Sequence, residues 1–233
     1  YMGIKLLVIG GVAGGATAAA RARRLDEQAE IILFERGEHI SFANCGLPYY
    51  IGEVIKNRND LLVTTAKKLG ERYNIDVRIF TEVVTIDPIK KQILAKNLKT
   101  GETYYEGYDK VILAPGAEPV RPSLDGVNLD TIFNLRDIPD SDRIKAYVDE
   151  KKPGLAIVVG GGYIGLEMAE NLVDRGVKTI ILEMLDQVMA PLDYEMAAIV
   201  HAYLRRKGLK LELENSAKSF TKKGKRTIVS TSK

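Results

Sequence analysis

A single cysteine stands in this chain of 233 residues, in the segment Ser41-Phe42-Ala43-Asn44-Cys45-Gly46-Leu47-Pro48-Tyr49-Tyr50-Ile51-Gly52. A lone thiol closes no intrachain disulfide, so Cys45 is either a small buried hydrophobe or a reactive group. A helix beginning around Gly46 would set Cys45 at its N-terminus, where the helix dipole favours thiolate. Two further constellations point to phosphate chemistry. In Gly160-Gly161-Gly162-Tyr163-Ile164-Gly165, glycines fall at all three positions of the dinucleotide fingerprint. Gly160 permits the tight turn, Gly162 lets the backbone approach a pyrophosphate, and Gly165 lets helix and strand pack closely. Glu183, about twenty residues on, is placed to accept from ribose hydroxyls. The second constellation, Gly10-Gly11-Val12-Ala13-Gly14-Gly15, keeps the outer glycines but has Val12 at the middle position, with Glu35 as its ribose candidate. Alone, this turn leans to a nucleotide site over a glycine-rich bend; beside the other copy it reads as a nucleotide site.

Such turns work only between a buried strand and a helix. Residues 4–9 and 155–159 are near-continuous apolar runs, as expected of strands covered on both faces. Helical runs follow at 16–24 and 166–174, then apolar strands at 31–34 and 179–182, each leading to its acidic residue. Two copies of one βαβ unit imply an α/β fold with two tandem Rossmann-like dinucleotide-binding domains. The intervening texture differs. Short strands are expected at 77–80, 82–87, 92–96, 102–105 and 110–113. Ala114-Pro115-Gly116-Ala117-Glu118-Pro119 can be neither helix nor central strand, so the boundary is drawn there, giving domains 1–118 and 119–233. Helices are expected at 141–150 and 194–207, and strands at 210–214, 216–221 and 226–230. A second βαβ half is not evident after 183, and the expectation is a chain truncated at its C-terminus. Tyr1, ahead of Met2, reads as an addition.

The net charge is only +3, with 28% charged residues, too balanced for bulk electrostatic binding of nucleic acid. No apolar run approaches the ~20 residues of a membrane span. The opening strand lacks the form of a signal peptide, and one unpaired cysteine suits the cytoplasm. His39 precedes the cysteine segment on an expected loop, and His201, on a helix, has no acidic or cysteine partner at metal spacing, so no metal is expected.

The cysteine segment, together with the stretches 10–24, 114–116, 160–170 and 192–208, resembles the single-cysteine branch of the pyridine nucleotide-disulfide oxidoreductases. That branch holds coenzyme A-disulfide reductases, coenzyme A-dependent persulfide or polysulfide reductases, NADH oxidases and NADH peroxidases. The resemblance implies a glutathione reductase-like fold, FAD on the first βαβ unit, NADH or NADPH on the second, and Cys45 as the catalytic thiol. The cofactor-binding positions it implies are Gly10, Val12, Ala13, Gly14, Gly15, Glu35, Arg36, Asn44, Val83, Ala114 and Gly116, with Gly160, Gly162, Tyr163, Ile164, Gly165, Glu167 and Glu183. For coenzyme A it implies Thr17, Arg21, Arg24, Ser41 and Asn44. Tyr50 stands where two-cysteine relatives carry a second Cys, and Ala13 where peroxidases and many oxidases carry a His. Both departures point to the coenzyme A-disulfide and persulfide reductases. A lysine used by some members falls at Tyr73, with Arg72 and Lys68 nearby. The expected function is NAD(P)H-dependent reduction of a small thiol-derived substrate, coenzyme A disulfide or coenzyme A persulfide, by a homodimer that prefers NADH. The alternatives are an oxidase or peroxidase using a cysteine sulfenic acid, or a nucleotide-binding fragment inactive alone.

Overall fold

The computed structural model describes residues 3–233; Tyr1, read above as an addition, and Met2 lie outside the described residues. In chain order the elements are β1 (Lys5–Ile9), α1 (Gly14–Leu25), β2 (Glu30–Phe34), α2 (Leu47–Ile51), α3 (Ala66–Tyr73), β3 (Asp76–Arg78), β4 (Thr81–Asp87), β5 (Gln92–Asn97), β6 (Thr103–Gly107) and β7 (Lys110–Leu113). They continue with α4 (Ile138–Lys151), β8 (Leu155–Val159), α5 (Tyr163–Asp174), β9 (Lys178–Leu182), α6 (Tyr194–Arg206), β10 (Lys210–Glu212), β11 (Ala217–Lys223) and β12 (Arg226–Thr231). Contacts group these into two compact units. The first runs to Ala43 and resumes over Leu62–Ala117; the second joins Asn44–Leu61 to Glu118–Lys233.

The first unit is built on a parallel sheet of order β3-β2-β1-β7. The continuous apolar runs of β1 and β2 are explained by cover on both faces. Leu6, Val8, Ile31 and Leu33 pack with Ala16 and Ala19 of α1 and Leu69 of α3. Leu7, Ile32 and Phe34 point the other way, onto Ile93 and Ala95 of β5 in the antiparallel sheet β4-β5-β6. Small residues on α1 let that helix lie close to the strands. At the rim, Arg78 donates to Glu106 at 2.6 Å, and Lys5 bridges Glu106 at 2.7 Å. Burial opposes charge on Glu106, but the hydrogen bonds from Lys5 and Arg78 outweigh it and hold its carboxyl below the usual range.

The second unit has a parallel sheet of order β10-β9-β8 and an antiparallel hairpin of β11 and β12. Its core has two parts. Ile144, Val148, Met168 and Leu172 of α4 and α5 enclose Ile51, and Ala169, Ile181, Val188 and Leu204 form the other part beneath α6. The cysteine segment is tied into this unit. Arg175 donates to the Ile51 carbonyl at 2.9 Å, and Lys145 pairs with Glu53 at 2.9 Å. Gly52 lies so close to Asn171 of α5 that a Cβ there would overlap the Asn171 amide.

The elements differ from expectation in two helices. Helix α4 starts at Ile138, three residues early, because the Asp137 side chain caps it at the Asp140 N–H and a proline occupies its first turn. Helix α3 was not anticipated. It buries only Leu69, and its cap, Thr65 accepting from the Lys68 N–H, is the sequence signal that marks it.

Candidate nucleotide and sulfur sites

Both glycine turns take the same shape for the same steric reason. Gly10 and Gly160 have φ of +96° and +108°, which side-chain-bearing residues rarely adopt. A Cβ on Gly15 would overlap the Gly10 carbonyl oxygen, and one on Gly165 the Gly160 carbonyl oxygen. At the middle position Gly162 has an ordinary φ of −80°, and a Cβ there would meet nothing within 4 Å. The space above the turn is open, and the missing side chain leaves room rather than relieving strain. Val12 at the corresponding place is therefore compatible with the fold and narrows only the approach.

The acidic residues are set in matching ways. Gly11 N–H donates to Glu35 Oε2 at 2.8 Å, and Gly37 N–H to Oε1 at 2.7 Å. Gly161 N–H donates to Glu183 Oε2 at 2.6 Å, and Leu185 N–H to Oε1 at 2.9 Å. Each carboxylate is thus oriented before any ligand arrives and retains lone pairs for ribose hydroxyls. Among described helices of eight residues or more, α1 and α5 are the two that have neither a side-chain cap nor an acidic residue in the first turn. Their N-terminal N–H groups and positive dipole ends suit a pyrophosphate. These donor sets, on turns whose outer glycines close tightly, fit the pyrophosphate and ribose of FAD and of a nicotinamide nucleotide.

The other expected cofactor positions are distributed as follows. Ala13 and Gly14 are exposed at the start of α1. Ala114 N–H donates to the Ile9 carbonyl at 2.8 Å, which sets Ala114 beside the first turn, and Gly116 follows with φ +70°. Val83 pairs with Ala95 and packs on the β1–β2 core. Arg36 is exposed just beyond Glu35. Tyr163 and Ile164, in the first turn of α5, are 64% and 58% exposed, large apolar surfaces left at the mouth of the second turn. The Glu167 carbonyl accepts from Asn171 Nδ2 at 2.8 Å, and its side chain is half-buried.

Cys45 is exposed. It occupies a one-turn helix, Asn44–Gly46, ahead of α2. The expected helix begins at Leu47 with Gly46 as its cap and ends after five residues at Gly52. Cys45 therefore precedes the cap of a five-residue helix rather than standing at the N-terminus of a long one. Tyr50, at the place of a second cysteine in two-cysteine relatives, is buried, and burial followed by the nearby Asp142 pushes its hydroxyl pKa up.

Of the five residues expected to contact coenzyme A, Thr17, Arg24 and Ser41 line one groove of about 740 Å³ in the first unit. Lys68, Arg72 and Tyr73 of α3 complete its wall. The guanidinium carbons of Arg24 and Arg72 lie 5.8 and 5.3 Å from the Tyr73 ring centre. Arg23 fastens the wall by donating to the Tyr73 and Asn74 carbonyls, each at 2.8 Å. Three cations against one carboxylate, Glu71, leave the groove lining net positive, a character suited to phosphate groups. Arg21 is exposed on α1 outside the groove lining, and Asn44 lies beside Cys45 in the second unit.

No helix among the described residues is long and apolar enough to cross a membrane. Among the same residues no group of three or more His, Cys, Asp or Glu could hold a metal ion.

The model of the pyridine nucleotide-disulphide oxidoreductase family matches residues 4–233. Coenzyme A disulfide reductase of Staphylococcus aureus (strain JH9) is 41% identical over 192 residues, 82% of this chain and 43% of the relative. The crystal structure of reduced Bacillus anthracis CoADR-RHD superposes with a TM-score of 0.94 at 51% identity, over 100% of this chain and 42% of that one. A NAD-dependent persulfide reductase from A. fulgidus superposes with a TM-score of 0.92 at 30% identity, over 98% and 42% of the two chains. The chain thus spans less than half the length of these relatives.

Proposed function

This chain belongs to the pyridine nucleotide-disulphide oxidoreductase family, and on that premise we propose that its protein is an FAD-dependent NAD(P)H oxidoreductase that reduces coenzyme A disulfide or coenzyme A persulfide through Cys45. The observation that carries the substrate class is the first unit's groove, where Thr17, Arg24 and Ser41 meet Lys68 and Arg72. A ligand there needs several phosphates, which coenzyme A has and simple disulfides or peroxide lack. Lys68 and Arg72 supply the cationic charge that Tyr73, in place of the lysine of some relatives, does not.

Residues 1–118 are assigned to FAD and 119–233 to the nicotinamide nucleotide. Gly10, Gly15 and Glu35 would hold the one, and Gly160, Gly165 and Glu183 the other. Bound at the first turn, FAD supplies the two-electron chemistry that links nicotinamide to sulfur. Cys45 performs the exchange: its thiolate attacks a substrate sulfur, a Cys45–sulfur bond forms as the substrate S–S bond breaks, and coenzyme A thiolate or hydrosulfide leaves. The family resemblance suggests Asn44 for orienting flavin or thiol, and Tyr163 for covering the flavin until the nicotinamide displaces it. NADH is the preferred donor, because Glu183 repels a 2′-phosphate. The reading carries with it a cytoplasmic homodimer.

Steady-state and stopped-flow kinetics of the full-length protein test it. Cys45→Ser abolishes reduction of coenzyme A disulfide and persulfide while flavin reduction by NADH survives. Arg24→Ala raises KM for the coenzyme A substrate, since a charge-assisted contact is worth about 1.5–3 kcal/mol, on the order of tenfold to a hundredfold. Full disulfide or persulfide reduction by C45S overturns the proposal.

A further inference from the structure

His201 looks ordinary in sequence, but it is a buried titratable group that the chemistry above does not use. It is 4% exposed on α6, and its Nε2 accepts the Val188 N–H at 3.1 Å. That bond fixes the tautomer: Nε2 carries a lone pair, so the ring proton is on Nδ1. Val188 is fully buried, and its side chain packs so closely against the Gly161 Cα that a Cβ there would come within 2.8 Å of it. The next residue, Met189, donates its N–H to the Gly161 carbonyl at 2.8 Å and holds a left-handed φ of 54°. Gly161 in turn donates to Glu183 Oε2. An unbroken series of contacts therefore runs from the imidazole through Val188 to the pyrophosphate turn and its ribose carboxylate.

We propose that His201 is a positioning residue for the nicotinamide nucleotide, holding the 188–189 segment against the Gly160–Gly165 turn only while its imidazole is neutral. The inference rests on the reading of that turn as the nicotinamide nucleotide site. Protonation puts a hydrogen on Nε2, which then cannot accept from Val188. The segment loses its anchor, and Gly161 and Glu183 lose their fixed backing. Burial, then Arg205 one helical turn away, lower the imidazole pKa, while Asp186 on the loop after β9 opposes them; the Tyr194 ring lies edge-on at 6.4 Å. A histidine with a lowered folded-state pKa contributes its full stabilisation above the ordinary value near 6.5 and loses it as pH falls through the folded value.

The test is calorimetric titration of NAD+, which binds without reducing the flavin, into the holoprotein from pH 5.5 to 8, for the wild type, His201→Gln and His201→Leu. The Gln amide can accept the Val188 N–H without titrating. Wild-type affinity is expected to be constant above pH 7 and to fall on the acid side of 6.5. H201L should be weaker at pH 8 by on the order of fivefold to tenfold, the equivalent of one neutral hydrogen bond. H201Q should recover most of that loss and flatten the acid fall. The amide resonance of Val188 should titrate with the imidazole, which keeps the inference testable even if H201L folds poorly. NAD+ binding in H201L and H201Q equal to wild type at all pH values overturns this inference alone. Absence of NAD+ binding by the wild type at every pH overturns the reading of the second turn, and this inference with it.

Discussion

The two units repeat one construction on a small set of shared residue types. Gly10, Gly11 and Gly15 correspond to Gly160, Gly161 and Gly165, and Glu35 to Glu183. The likeness continues where the sequences diverge. Ser41 N–H donates to the Gly11 carbonyl as Met189 N–H does to that of Gly161. Phe80 donates to Gly37, and Glu214 to Leu185. Left-handed backbone recurs at Ser41 and Met189, and at Phe80 and Glu214. Backbone geometry around the turn is thus maintained by hydrogen bonding that tolerates any side chain, and only the glycines and the carboxylates are demanded by type. The units part in how the segment after the second strand is held and in how the first strand is flanked. The first unit clamps its segment with backbone, Val63 N–H to the Ser41 carbonyl and a bridge between Phe42 and Leu62. The second uses an imidazole. Strand β1 has β2 and β7 on its two sides, whereas β8 pairs only with β9 among the described residues and leaves Leu155 and Val159 more than half exposed.

If the turns are equivalent in construction and distinct in cargo, matched substitutions must separate them. Gly15→Ala and Gly165→Ala carry the largest expected effect, because each Cβ would overlap a backbone carbonyl that cannot step aside. Overpacking of this kind costs about 1–3 kcal/mol, on the order of a hundredfold in affinity at its upper end. Gly15→Ala should release flavin, measured by absorbance. Gly165→Ala should keep flavin and lose its reduction by NADH. Loss of flavin from both variants to the same degree would break the distinction in cargo.

A smaller effect separates the donors. The Glu183 carboxylate is oriented by Gly161 and Leu185, and Met184, Leu185 and Asp186 supply no cation for a 2′-phosphate. Repulsion and lost pairing amount to about 1–2 kcal/mol, so kcat/KM should favour NADH over NADPH by on the order of tenfold. A clear NADPH preference would contradict the placement of Glu183 at the ribose. The smallest effect belongs to the middle position. Gly162→Val copies Val12 into open space at an allowed φ. The melting temperature should stay within a few degrees, and NADH affinity should fall by only a few-fold, since the backbone need not move. Unfolding of Gly162→Val would show that the two turns differ in more than their cargo.

Much of this was legible in the sequence where a residue type is sterically compelled. The twin turns, their strands and their carboxylates follow from glycines that nothing else replaces. Three features were not legible, for physical reasons. Helix α3 is only eight residues long, too short a run for the i, i+3, i+7 spacing of Ala66, Leu69 and Tyr73 to stand out. The association of Asn44–Leu61 with the second unit depends on Ile51 packing among residues about a hundred positions away, which no local pattern encodes. His201 carries no sequence signal because its partner is the Val188 N–H, and a backbone group leaves no mark in residue types. The groove was half legible. Thr17, Arg24 and Ser41 come from the resemblance, and Lys68 and Arg72 are flagged by it only as neighbours of Tyr73; their place in the same lining depends on α3 lying beside α1.

On the proposed reading each nucleotide has its own turn, and Cys45, the one thiol of these 233 residues, passes the electrons on to the coenzyme A substrate. Intact-mass and peptide mass spectrometry of the full-length protein isolated oxidised tests this most directly. The account predicts coenzyme A joined to Cys45 as a mixed disulfide, released by thiol reductant and absent from C45S. Cys45 recovered mainly as sulfenic acid, with strong peroxide turnover and no coenzyme A adduct, would contradict it and place the protein among the oxidases and peroxidases despite Ala13.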